Sequence, residues 1–246
     1  MAVQPFSFLD LPAEIPLMVY ERLPITTRHH TYSPESDHGG KIILVTKSIE
    51  SSILALCRIV HTEIKPILTE KLGKLHAEPT RLIMDHRATQ CRPFRENVLE
   101  GVKARIKQLH SCLGMPGELS NSLDIVKIED SALTSFVNRF ASSIWRGASL
   151  PSLTHKPHKL HICLTMEEPI NSVEAMRISQ ILEYIGGRLR ECISTLTVII
   201  KPSPYKNRAV LPILTERAME PNSAYQVAAW QDEEDRAEEW EEKEEF

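Results

Sequence analysis

The sequence predicts an α+β protein, with an N-terminal helical unit over residues 6–72, an α+β domain over 73–229 and an acidic tail over 230–246. Three observations carry this. Apolar residues recur at helical steps of three and four in several segments, and short β-branched runs stand between those segments. The hydrophobic content of 42% over 246 residues is enough to build a sizeable shared core. Strands interleaved with helices that each carry one apolar face call for a mixed sheet of about five short strands with helices packed on it.

In chain order, Phe8-Leu9-Asp10-Leu11-Pro12 reads as an apolar approach to a helix start. Proline is favoured in a first helical turn, where its missing N–H costs nothing. The helix then runs through Ile15, Met18, Val19 and Leu23 and is closed by Pro24. Thr26 to His38 reads as a linker. Lys41–Thr46 is a strand after the Gly39-Gly40 turn signal. Ile49, Ile53, Leu56, Val60, Ile64 and Ile67 form the next helical stripe, with Pro66 kinking it and Gly73 stopping it.

Arg81–Asp85 is a strand after Pro79, and Asn97 with Glu100 is a variant capping box for a helix along Leu99, Val102, Ile106, Leu109 and Leu113 that ends at Gly114. Leu123–Ile128 reads as a strand, and Asp130 or Ser131 caps a helix with a wide face of Leu133, Phe136, Val137, Phe140, Ala141, Ile144 and Trp145 before Gly147. Lys159–Thr165 alternates with Leu160, Ile162 and Leu164 on one side. Asn171 and Glu174 open a helix carrying Ile178, Ile181, Leu182, Ile185 and Leu189, and Leu196–Ile200 is the last strand. Further linkers are expected over 114–122, 147–157 and 202–212.

Charge divides the chain. From Trp230 to Phe246 there are ten acidic residues and two basic ones, whereas residues 1–229 carry 27 Lys+Arg against 23 Asp+Glu. Like-charge blocks cannot bury a core, so the tail is expected to be solvated. No apolar run approaches the roughly 18 residues of a membrane span, and the N-terminus lacks a basic region with an apolar stretch after it. A protein of the cytoplasm or nucleus, with no membrane partner, is the expectation. Five widely spaced cysteines without a Cys-x-x-Cys pair argue for free thiols in a reducing compartment.

Chemistry-bearing patterns are scarce. There is no phosphate loop, dinucleotide fingerprint, nucleophile elbow or His-Glu-x-x-His pair, which predicts a non-enzymatic protein with no catalytic residues, cofactor or metal. His155, His158 and His161 are the nearest approach to a metal set, but Pro157 forbids a regular helix through them and no carboxylate or thiolate completes the spacing. Lys103, Lys107 and His110 lie on one polar helix side. An ordinary solvated face explains them better than a phosphate-following stripe, so nucleic acid is not an expected partner.

Leu11-Pro12-Ala13-Glu14-Ile15, followed by Met18-Val19-Tyr20-Glu21 and Leu23-Pro24, resembles the start of an F-box, closest to the fungal F-box-like proteins and the related short fungal family named for a Glu-x-Arg motif. Leu56-Cys57-Arg58, Val60, Glu63 and Pro66-Ile67-Leu68 resemble the helix that follows in those proteins. Pro16 stands where the Glu-x-Arg pattern has arginine, and the interval from Leu11 to Cys57 is longer than usual, with a strand inside it. The resemblance covers residues 6–70. It implies an F-box-like N-terminal unit that docks on a Skp-type adaptor of a cullin-type ubiquitin ligase through Leu11, Pro12, Ile15, Val19 and Leu23, while the remainder selects a protein substrate of unknown identity. The alternative is a structural or scaffolding α+β domain in which those residues close a core and no adaptor binds.

Overall fold

The computed structural model describes residues 14–33, 40–49, 58–90, 97–114, 131–148, 158–166, 168–201, 210–228 and 230. Among them the fold is α+β, with helices α1 (Glu14–Glu21), α2 (Arg58–Ala77), α3 (His86–Gln90), α4 (Leu99–Gly114), α5 (Ser131–Ala148), α6 (Ser172–Leu189) and α7 (Val210–Ala218). The strands are β1 (Ile25–Tyr32), β2 (Ile42–Ile49), β3 (Thr80–Asp85), β4 (His158–Thr165), β5 (Ile193–Ile200) and β6 (Gln226–Ala228). They form one sheet in the order β1-β2-β3-β4-β5-β6. The chain divides into two compact units, residues 1–28 with 47–77, and residues 29–46 with 78–246, so β1 and β2 each belong partly to both.

In the larger unit, β2 runs antiparallel to β3, and β3, β4, β5 and β6 are parallel. Parallel neighbours require crossovers, which α4 with α5, α6 and α7 supply in turn. All six residues of β3 are buried, the mark of a strand covered on both faces. On one face Ile42, Leu44, Leu82, Met84, Leu160, Ile162, Leu196 and Val198 meet the apolar stripes of α4–α7. Phe136, Phe140 and Ile144 share that cluster with Leu160, Ile162 and Val198, the grouping that their helical and strand periodicities call for. On the other face Ile43, Val45, Ile83, Cys163 and Ile199 form a smaller cluster.

Local chemistry explains the element ends. Asn171 Oδ1 accepts from the Glu174 N–H at 2.9 Å while Glu174 Oε2 accepts from the Asn171 N–H at 3.0 Å, a complete capping box. The corner joining α6, α7 and β6 is knitted by side chains. The buried Tyr225 hydroxyl donates to the Leu214 carbonyl at 3.2 Å, and Glu183 accepts from Ser223 Oγ and the Ala224 N–H. A Cβ at Gly186 would stand 2.5 Å from the Ala224 carbonyl oxygen, so α6 approaches this corner as closely as it does only because that position is glycine.

Several expectations are corrected. Ile49 belongs to β2 rather than to a helical stripe, because the Ile-Leu-Val-Thr-Lys-Ser-Ile run sustains strand pairing through its β-branched residues. Gly73 does not stop α2, which continues to Ala77; Gly73 has open space around it and costs the helix only about 1 kcal/mol. The linker expected over 26–38 holds β1, a strand with little apolar content whose His30 Nε2 lies 2.9 Å from Thr46 Oγ1 of β2. The linker expected over 202–212 gives way to α7 from Val210. Trp230, grouped with the tail by charge, is half-buried against the Ile43 and Ile199 cluster, with Lys201 Nζ 6.0 Å from its ring centroid. The strand expected at 123–128 and the tail beyond 230 lie outside the described residues.

Two measurements test this packing. Phe140, fully buried, should cost about 3–5 kcal/mol when replaced by alanine, read by denaturant unfolding. Gly186→Ala should destabilise by about 1–3 kcal/mol through overpacking, whereas Gly187→Ala, with open space around it, should stabilise by up to about 1 kcal/mol.

Candidate functional site

The first five residues of α1 after Glu14 are all apolar, Ile15-Pro16-Leu17-Met18-Val19, and Tyr20 follows. One core-facing stripe on an eight-residue helix needs far fewer. Pro16 falls in the first turn, where no intrahelical N–H bond is lost. Tyr20 is fully buried and anchors the helix against Ile49, Ile64 and Leu68, with Leu23, Ile67 and Leu75 packed around them. The Arg22 and Leu23 N–H groups donate to the Val19 and Tyr20 carbonyls, and Lys71 Nζ donates to the Glu21 and Leu23 carbonyls, so the C-terminal end of α1 carries a cation where the helix dipole favours one.

α2 provides the other half of this anchor. Ile64 and Leu68 are buried one turn apart, and the intervening Pro66 lies exposed inside the helix. Thr69 Oγ1 donates to the Lys65 carbonyl at 2.7 Å in the turn beyond the proline. Lys74 sits 2.7 Å from Glu70 on the solvent side, and that ammonium holds the Glu70 carboxyl below its ordinary range.

With Tyr20 facing inward, four aliphatic side chains of α1 remain open to solvent. Ile15 is 42% exposed, Leu17 41%, Met18 49% and Val19 43%, and Ile25 at the start of β1 is 51% exposed. Ile15, Met18 and Val19 are spaced i, i+3 and i+4, so they lie together on one helix face. A single exposed apolar residue is unremarkable, but three on one face of a two-turn helix form an apolar strip of the kind that interaction sites use.

Of the contact positions named from sequence, Ile15 and Val19 are on this exposed face. Leu23 is instead half-buried with the Tyr20 anchor. Leu11 and Pro12 lie outside the described residues, as do Leu54 to Cys57 of the second segment. Sequence reasoning passed over Leu17 and Ile25. The available signal was the excess of apolar residues over what the short helix can bury.

Other constellations are built into the fold. Asp85 Oδ1 accepts from the Arg87 N–H at 3.0 Å and lies 2.9 Å from His86 Nδ1, with both side chains nearly buried. Burial pushes the Asp85 carboxyl up, but the hydrogen bonds from the His86 ring and the Arg87 N–H, with the Arg87 guanidinium charge, outweigh it and hold the carboxyl below its ordinary value. Arg87 also pairs with Glu168. Lys103 lies 3.6 Å from Glu191 and so is engaged within the protein, and the half-buried Cys192 thiol is pushed up by burial. His158 is buried and hydrogen-bonded to Thr80, and His155 is outside the described residues. Among the described residues no group of three or more His, Cys, Asp or Glu is placed to hold a metal ion, and no helix is long and apolar enough to cross a membrane.

Comparison with protein-family models, with curated proteins and with solved structures finds no match.

If the exposed face of α1 serves contact rather than folding, Ile15→Asp and Val19→Asp should each shift unfolding free energy by no more than about 0.5 kcal/mol. Tyr20→Ala, which empties the anchor, should cost about 3–5 kcal/mol in the same denaturant titration.

Proposed function

We propose that this is a non-enzymatic, F-box-like protein-interaction protein that presents α1 to a Skp-type adaptor and uses its larger α+β unit to receive a protein substrate for a cullin-type ubiquitin ligase. The observation that carries the reading is the exposure of Ile15, Met18 and Val19 on a helix pinned from behind by Tyr20. The Leu11-Pro12-Ala13-Glu14 motif directly precedes that face in the sequence. Aliphatic side chains projecting from a rigid short helix suit docking into an apolar groove on a partner. Such an assembly belongs to the cytoplasm or nucleus.

The competing reading is a structural α+β domain that recruits no adaptor, and the half-burial of Leu23 with the Tyr20 anchor is the observation on its side. Capture of purified Skp-type adaptor by the full chain separates the two. The wild-type protein should bind, and Ile15→Ala combined with Val19→Ala should weaken binding at least 30-fold, the equivalent of about 2 kcal/mol for lost anchor residues. Absence of adaptor binding by the folded wild-type protein would overturn the adaptor reading in favour of the structural one.

A further inference from the structure

Strand register gives the sheet of the larger unit a second face, opposite the layer that α4–α7 close. Arg81, Ile83 and Asp85 of β3 pair with His161, Cys163 and Thr165 of β4, and Lys159, His161 and Cys163 pair in turn with Thr195, Thr197 and Ile199 of β5. Gln226 and Ala228 of β6 lie beside Thr197 and Ile199, and Gln226 Nε2 donates to Thr197 Oγ1 at 2.9 Å. The centre of this face is the apolar cluster of Ile43, Val45, Ile83, Cys163 and Ile199, in which Cys163 and Ile199 are fully buried. Strand side chains are shielded only by something lying over their face. Among the described residues, the partly buried apolar side chains packed on this cluster are Ala228 and Trp230, whereas α4–α7 place their buried apolar side chains in the opposite layer.

The two ends of the face are basic. Arg81, which also lies 3.9 Å from Glu78, stands with Lys159 and the His161 ring toward the amino-terminal ends of the strands. Lys201 follows Ile199 by two residues at the other end, with its Nζ 6.0 Å from the Trp230 ring centroid. The carboxylate that the register puts here, Asp85, is engaged by the His86 ring and the Arg87 N–H. Trp230 is the first residue of the segment that carries ten acidic residues against two basic ones, with Trp240 and Phe246 set among them. A strongly acidic segment therefore leaves the sheet beside a face that has an apolar centre and basic ends.

We propose that residues 231–246 fold back over this face as its covering layer. Trp240 joins Trp230 on the apolar cluster, and the acidic residues around it meet Lys159, His161 and Arg81. The reach fits. Leu164 pairs with Ile200, so Lys159 lies about 20 Å along the sheet from the level of Lys201 at about 3.3 Å per residue. The segment from 231 to 246 spans about 24 Å as a helix and about 50 Å when extended. A like-charge segment stays in water when nothing opposes its charge. Here the basic ends of the face oppose it, and attachment at Trp230 makes the contact intramolecular, at an effective concentration on the order of millimolar. The inference is independent of the proposed adaptor contact.

Cys163 reports on the cover, because it sits at the centre of the face, and Cys192, packed against the opposite layer, serves as its control. Labelling with N-ethylmaleimide, read peptide by peptide by mass spectrometry, compares the full chain with a chain ending at Trp230. Removal of 231–246 should raise the labelling rate of Cys163 at least about tenfold and leave that of Cys192 within about twofold. Equal labelling of Cys163 in the two chains would overturn the proposal, since another segment would then cover the face. If both thiols become reactive, the shortened chain has loosened as a whole, and carbodiimide coupling of the wild-type monomer decides. An amide bond from Lys159 Nζ to a carboxylate between Glu238 and Glu245, formed with loss of water, supports the cover. A Lys159 that couples only elsewhere, or not at all, refutes it.

Discussion

Leu82, Leu160, Ile162 and Val198 project from three adjacent parallel strands into one apolar layer, and α5 closes that layer with Phe136, Phe140 and Ile144. Burying this surface stabilises the larger unit at roughly 25 cal/mol per Å² of apolar area removed from water, against the conformational entropy lost on ordering the chain. Parallel strands cannot be joined by tight turns, so each must be followed by a segment long enough to cross the sheet. The amphipathic helices between the strands meet that requirement and supply the layer's other side. The remaining features of the unit, from the α6 capping box to the Tyr225 corner, secure the ends of those crossovers.

Polar groups inside this framework are placed where strands begin and end. His158, Thr80 and Ser143 satisfy one another at the amino-terminal ends of β3 and β4, while Asp85 accepts from the Arg87 N–H at the opposite end of β3. A buried donor or acceptor without a partner costs about 1–3 kcal/mol, and the pairing at the two ends of β3 avoids that penalty. Burial raises the Asp85 carboxyl, but the hydrogen bonds from the His86 ring and the Arg87 N–H outweigh it and hold the carboxyl below its ordinary value.

The smaller unit follows a different logic. Among the described residues its core is Tyr20, Ile49, Ile64 and Leu68 with a few flanking side chains, and α1 places one aromatic residue in that core while leaving four aliphatic residues open to solvent. Exposing Ile15, Leu17, Met18 and Val19 gains nothing for folding. An aromatic anchor turned inward and aliphatic side chains turned outward are the geometry on which the proposed adaptor contact rests.

Much of the α+β class, the helices around Phe136 and Ile178, the strands from Lys41, Arg81, Lys159 and Leu196, and the capping box at Asn171 was determined by the sequence alone, because periodicity and capping depend on residues close along the chain. Tertiary structure decided what local pattern leaves ambiguous. Ile49 fits both a helical and a strand period, and only pairing within the sheet assigns it to β2; β1, rich in threonine and histidine, is a strand because a neighbour completes its hydrogen bonds. The same distinction governs the site. The sequence marked α1 as apolar, but which of its residues are buried depends on where Ile64 and Leu68 of α2 meet it, which turns Tyr20 and Leu23 inward and Ile15, Met18 and Val19 outward. Contacts between residues more than 40 positions apart make that choice, and no spacing within an eight-residue helix encodes it.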